Sequence, residues 1–103
     1  DQPWSKQFAT DYEKRYGSKP DVYAANYYEG VYMIAELLKR AKAKGGDYMD
    51  AEVMKAALYD NPKFDSVYGG QMFFKPNGVA QKRVGLFKVE GGEKKFQSFV
   101  TPD

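Results

Sequence analysis

Helices first and strands last, with no internal repeat, predict an α+β unit when these 103 residues are taken by themselves. Three observations carry that prediction. Aromatic residues recur every four positions near the start, and a longer apolar stripe at helical spacing follows. The C-terminal part then trades that period for short strand-like runs set between glycine turns.

The first helix is marked by Trp4, Phe8, Tyr12 and Tyr16, which fall on one face. Pro3 suits its first position, because a missing N–H costs nothing there, and Gly17 suits its stop. Ser18, Lys19 and Pro20 read as a short connector. The second helix runs from Asp21 to Lys44 with no proline. Its apolar stripe is Tyr27, Val31, Ile34, Ala35, Leu38 and Ala41, which predicts that Tyr27 leads the core face. Gly45 and Gly46 end it. Asp50 is a good N-cap for a third, shorter helix with Val53, Met54, Ala57 and Leu58 inward, stopped by Asn61 and Pro62. Three strands are expected beyond: Gln71 to Phe74, Arg83 to Glu90, and Lys94 to Val100. Pro76-Asn77-Gly78 is a turn, and Gly91-Gly92 closes a hairpin.

Composition narrows the chemistry. Hydrophobic residues are 43% and charged residues 29%, a globular balance. Sixteen basic against fourteen acidic residues leave +2, too little for binding driven by charge alone. The chain has no Cys and no His, which excludes thiolate and imidazole chemistry, disulfides and the usual zinc sites. No run approaches the roughly 18 apolar residues of a membrane span. Aromatics, at 17%, are the largest resource.

Each candidate site also has a plainer reading. Asp11 with Glu13, and Asp60 with Asp65, could act as acid–base pairs, but nothing around them would raise one carboxyl's pKa, so no enzyme is expected. The Asp60 to Asp65 loop lacks the oxygen alternation and distal Glu of a calcium site. The Gly-Gly pairs form no phosphate-binding motif. Lys39, Arg40, Lys42 and Lys44 suit a helix C-terminus, and their short run predicts no nucleic-acid partner. No cofactor or metal is expected. The richest constellation is Tyr23, Tyr27, Tyr28 and Tyr32. Tyr23 stands at the entrance of the second helix, where free N–H groups and the positive dipole end would suit a ligand carboxylate.

The run from Tyr12 to Gly30, with Tyr16-Gly17, Pro20 and Tyr23-Ala24-Ala25, resembles the C-terminal third of the leucine/isoleucine/valine-type (type I) periplasmic binding proteins. The resemblance continues through the Asp50 to Leu58 helix, Phe64-Asp65, Gly69, Phe73-Phe74, Pro76-Asn77-Gly78 and the closing pair of strands. The sequence departs at Tyr28-Glu29-Gly30, where Tyr-Asp-Ala is commoner in the family, and at Gly69-Gly70.

That resemblance implies an α/β fold of two lobes with mostly parallel sheets, of which this chain is a C-terminal piece. It puts residues 1–17 in the second lobe, 23–81 in the first and 84–100 in the second. It implies a solute-binding component of an ABC importer for an amino acid or a related small carboxylate or amide. The implied partners are the ligand, a membrane permease and the remaining N-terminal part of the same protein. The implied place is periplasmic, with the signal peptide outside this chain. The expected ligand contacts are Tyr23, with an aromatic ring against the ligand, and then Asn26 and Tyr27. The same fold also serves as a ligand-sensing domain of receptors, and a ligand-free interaction module is the reading from another class.

Overall fold

A computed structural model describes residues 3–102. Helix α1 spans Pro3–Tyr16, α2 Val22–Ala43 and α3 Ala51–Asp60. Strands β1 (Lys63–Asp65), β2 (Gln71–Phe74) and β3 (Ala80–Gln81) form one small antiparallel sheet in sequence order. Strands β4 (Val84–Glu90) and β5 (Glu93–Val100) form a separate hairpin.

The capping residues act as the sequence predicts. Asp50 accepts from the backbone N–H groups of Glu52 and Val53, satisfying donors that the helix itself leaves unpaired. Gly17 takes φ +72° at the end of α1 and donates to the Glu13 carbonyl, a conformation that costs a side-chain-bearing residue free energy. Gly91 and Gly92 both have positive φ, as a two-residue hairpin loop of matching twist requires. Two strands exceed the three expected. β1 and β3 are three and two residues long, too short for any periodicity, and both exist because β2 pairs with them.

The core is small and aromatic. Phe8, Ala25 and Val67 are its buried centre, with Trp4, Tyr12, Ala24, Tyr28 and Tyr68 packed around them. Phe8 stacks on Tyr28 at 4.4 Å between ring centroids, and Trp4 meets Tyr28 at 5.9 Å and Tyr32 at 5.5 Å. The Trp4 indole N–H donates to the Tyr28 hydroxyl at 3.1 Å. Helix α1 and the start of α2 thus share one aromatic cluster.

One expectation is overturned. Tyr27, Val31 and Ile34 are exposed, Tyr27 to 79%. The inward face of α2 is instead set by Ala25, Tyr28, Glu29 and Ala41. The physical reason is fit: Ala25 lets the loop after β1 approach closely, and the Glu29 carboxylate is held by that loop. The stripe is covered only at its C-terminal end, where Ala41 is buried and Leu38 half-buried; Tyr27, Val31, Ile34 and Ala35 stay open within this chain.

The hairpin is exposed along almost its whole length. Phe96 and Phe99, three apart, would point to opposite faces of a regular strand. A bulge opposite Leu86 and Phe87 inserts Gln97 and brings Phe96, Phe99 and Phe87 into contact. The accessible surface is 7739 Å², about a third above the roughly 5,900 Å² that a self-contained globule of this mass shows. The radius of gyration, 16.2 Å, likewise exceeds the value of about 13 Å for a compact chain of this length.

Candidate ligand site at the start of the long helix

Asp21 forms the N-cap of α2, its Oδ1 accepting from the Ala24 N–H at 2.8 Å. The cap takes the Ala24 N–H and sets a negative charge at the helix entrance, which disfavours a ligand carboxylate there.

One turn on, Tyr23 and Tyr27 stand four residues apart, so their rings lie on one side of α2, exposed to 71% and 79%. Asn26, between them, turns to the body of the molecule. Its Oδ1 accepts from the Tyr68 hydroxyl at 2.9 Å and from the Lys82 ammonium at 3.4 Å. The Tyr68 hydroxyl also reaches the Val22 carbonyl at 3.3 Å. Burial first, and then the Glu29 and Asp21 carboxylates, push the Tyr68 phenol above its ordinary pKa. It is therefore a neutral donor at physiological pH.

Beneath this layer lies Glu29, 4% exposed. One carboxylate oxygen accepts from the Ser66 hydroxyl at 2.7 Å and the Val67 N–H at 2.8 Å, and the other from Lys82 at 2.8 Å. Three donors offset the cost of burying the charge, and the ammonium supplies the opposite sign. Lys82 also lies 4.7 Å from the centre of the Tyr68 ring. The next residue, Arg83, donates to the Tyr68 carbonyl at 3.0 Å and stacks on Phe99 at 3.8 Å.

Of the three expected contacts, Tyr23 and Tyr27 are brought together and left open, whereas Asn26 is committed to internal bonds. Glu29, Tyr68 and Lys82 were missed as members of this site. A signal existed only for Glu29, which stands where the resembled family more often has Asp.

A cleft of about 400 Å³ opens elsewhere, between Trp4, Tyr32, Glu36, Arg40, Phe64 and Asp65. None of the three expected contacts lines it. Its Arg40 fork is taken up by Glu36 and by the carbonyls of Asn61 and Lys63. No cluster of three or more acidic side chains that could hold a metal occurs among the described residues.

A family model described as "Periplasmic binding protein" matches residues 1–94. Among solved structures, the leucine binding protein LivK from Thermotoga maritima superposes on 99% of this chain with a TM-score of 0.73 and 24% sequence identity. The chain spans 27% of the length of that protein's chain. At this identity the likeness speaks to the fold, and it is a likeness to the type I, α/β arrangement.

Proposed function

The chain belongs to the periplasmic binding protein family, and from that premise we propose that it is the closing part of a solute-binding protein that holds a small ligand between two lobes. The match over residues 1–94 is the observation that carries this reading. The uncovered faces support it. Val31 and Ile34 on α2, and Phe87, Phe96 and Phe99 on the hairpin, are apolar surface that the remaining chain would bury.

On this reading residues 23–81 sit in the first lobe and the hairpin of residues 84–100 in the second. The packing of α1 on α2 favours placing residues 1–17 with the first lobe rather than the second. The ligand is an amino acid or a related small carboxylate or amide, a choice supported by the similar protein named as leucine binding. Tyr23, with Tyr27 beside it, supplies apolar ring surface to the ligand's side chain. Asn26 positions Tyr68 and Lys82 instead of touching the ligand. The ligand's own carboxylate is held by residues elsewhere, because Asp21 already caps α2.

The work is binding without catalysis. Contacts from both lobes favour the closed form, so the ligand shifts a hinge equilibrium by its differential affinity for the two states. The closed form would then dock on the permease of an ABC importer outside the cytoplasm. A thermal-shift screen of the complete two-lobed protein against the amino acids and their amides tests this. The expected result is a rise in melting temperature with one or a few apolar amino acids; no shift with any of them would count against the ligand class.

A further inference from the structure

We propose that the consecutive residues Lys82 and Arg83 form a strap that fixes the angle between the β4–β5 hairpin and the helical body, with Glu29 as its anchor. Among the described residues, no helix or strand of the body packs extensively on the hairpin. Something other than a shared core must therefore hold the two together.

The bonds at the crossing point do so. Lys82 is tied to α2 through Glu29 at 2.8 Å and Asn26 at 3.4 Å. Arg83 reaches the other way: one guanidinium nitrogen donates to the Tyr68 carbonyl in the loop after β1, while the flat group lies on the ring of Phe99 in β5. That loop is itself fastened to Glu29 through Ser66 and Val67. One buried carboxylate thus holds both the strap and the loop that the strap grips. The returning chain is tied at the same level, where the Gln81 amide donates to the Pro102 carbonyl at 2.6 Å.

Chemistry explains why two different cations serve. Lys82 is a point charge suited to a single buried carboxylate, whereas the planar fork of Arg83 can stack on an aromatic ring and donate in its own plane. Turning the hairpin about residues 81–84 would slide Phe99 off the guanidinium and break the bond to the Tyr68 carbonyl together. The strap therefore holds the hairpin at one setting, and losing either contact would free it to turn. This mechanical role stands on geometry alone; only its consequence, a bias on the opening and closing of the lobes, rests on the function proposed above.

These 103 residues hold no cysteine and so accept site-directed labels cleanly. Spin labels on Lys55→Cys in α3 and Glu93→Cys at the hairpin tip report the distance between body and hairpin by double electron–electron resonance. The pair is placed in the complete two-lobed protein without ligand, any cysteine outside these residues having been replaced, and the labelled protein is diluted with unlabelled protein so that only distances within one molecule are read. One narrow distance is expected for the parent. Arg83→Gln should lose that single distance in favour of a broad distribution, with unchanged helix content by circular dichroism. Arg83→Lys, which keeps charge and stem and disturbs the fold least, should fall between the two. Lys88→Gln, which removes an ion pair inside the hairpin, should leave the narrow distance intact. A broad distribution in the parent, or a narrow one retained in both Arg83 variants, would overturn the proposal.

Discussion

Glu29 and Lys82 stand 53 positions apart in sequence and meet at 2.8 Å, with the carboxylate almost wholly buried. Removing the acid strands an ammonium that is itself mostly shielded and leaves the Ser66 and Val67 donors unmatched. Glu29→Ala should therefore destabilise the fold by about 3–5 kcal/mol. Lys82→Met leaves the buried carboxylate without its counter-charge and should cost a comparable amount, about 3–5 kcal/mol. Urea unfolding of the two variants checks both; a loss below about 1 kcal/mol for Glu29→Ala would show that the carboxylate is not the anchor.

Neighbouring tyrosines should behave in opposite ways. Tyr28 stacks on Phe8 and accepts from Trp4, so Tyr28→Ala should lower stability by about 2–4 kcal/mol through the cavity it leaves. Tyr27 is exposed, and in the 103-residue chain Tyr27→Ala should change stability by no more than about 0.5 kcal/mol. Thermal melting separates them. Equal losses would mean that the stripe led by Tyr27 is packed in solution.

The 103-residue chain by itself should associate. Its hairpin has two free edges and an aromatic face, and α2 presents a second apolar face. Light scattering should give a mass that rises with concentration, accompanied by binding of a hydrophobic dye. A sharp monomer that binds no dye would contradict this.

Tyr68 makes stability sensitive to alkaline pH. Its folded pKa is raised above the ordinary value of 10.0, so the folded state favours the neutral phenol. The associated stability is fully present below pH 10.0 and is lost as pH climbs through the higher folded value. Tyr68→Phe should be less stable than the parent at neutral pH, by about 0.5–1.5 kcal/mol for the lost hydroxyl bonds, and should lose less stability than the parent above pH 10. Parallel pH–stability curves for the two proteins would refute the assignment.

How far the sequence discloses all this depends on the range of the forces involved. Helix ends are local, so Asp50, Gly17 and the Gly91-Gly92 loop can be read from neighbouring residues. β1 and β3 cannot, since two or three residues carry no period and owe their form to β2. The stripe on α2 is legible as apolar, yet periodicity does not say which partner a face meets; here Ala25, Tyr28 and Glu29 win the inward side because they fit α1 and the loop after β1. An acidic residue on the buried side runs against composition rules, and its partner Lys82 lies too far along the chain for spacing to suggest it. Tyr23 was legible as an exposed ring at a helix entrance. The capping of that entrance by Asp21 is legible too, since Asp is among the best N-caps.

The most direct test of the account is calorimetric titration of the complete two-lobed protein, as the parent and as Tyr23→Ala, with the amino acid that raises its melting temperature. If the Tyr23 ring packs on the ligand, the variant should bind about ten- to a hundredfold more weakly, equivalent to roughly 1–3 kcal/mol. Its melting temperature without ligand should match the parent's, because the ring is exposed in the isolated chain. Parent-like affinity in the variant, together with a lowered melting temperature, would contradict the account and make Tyr23 a packing residue.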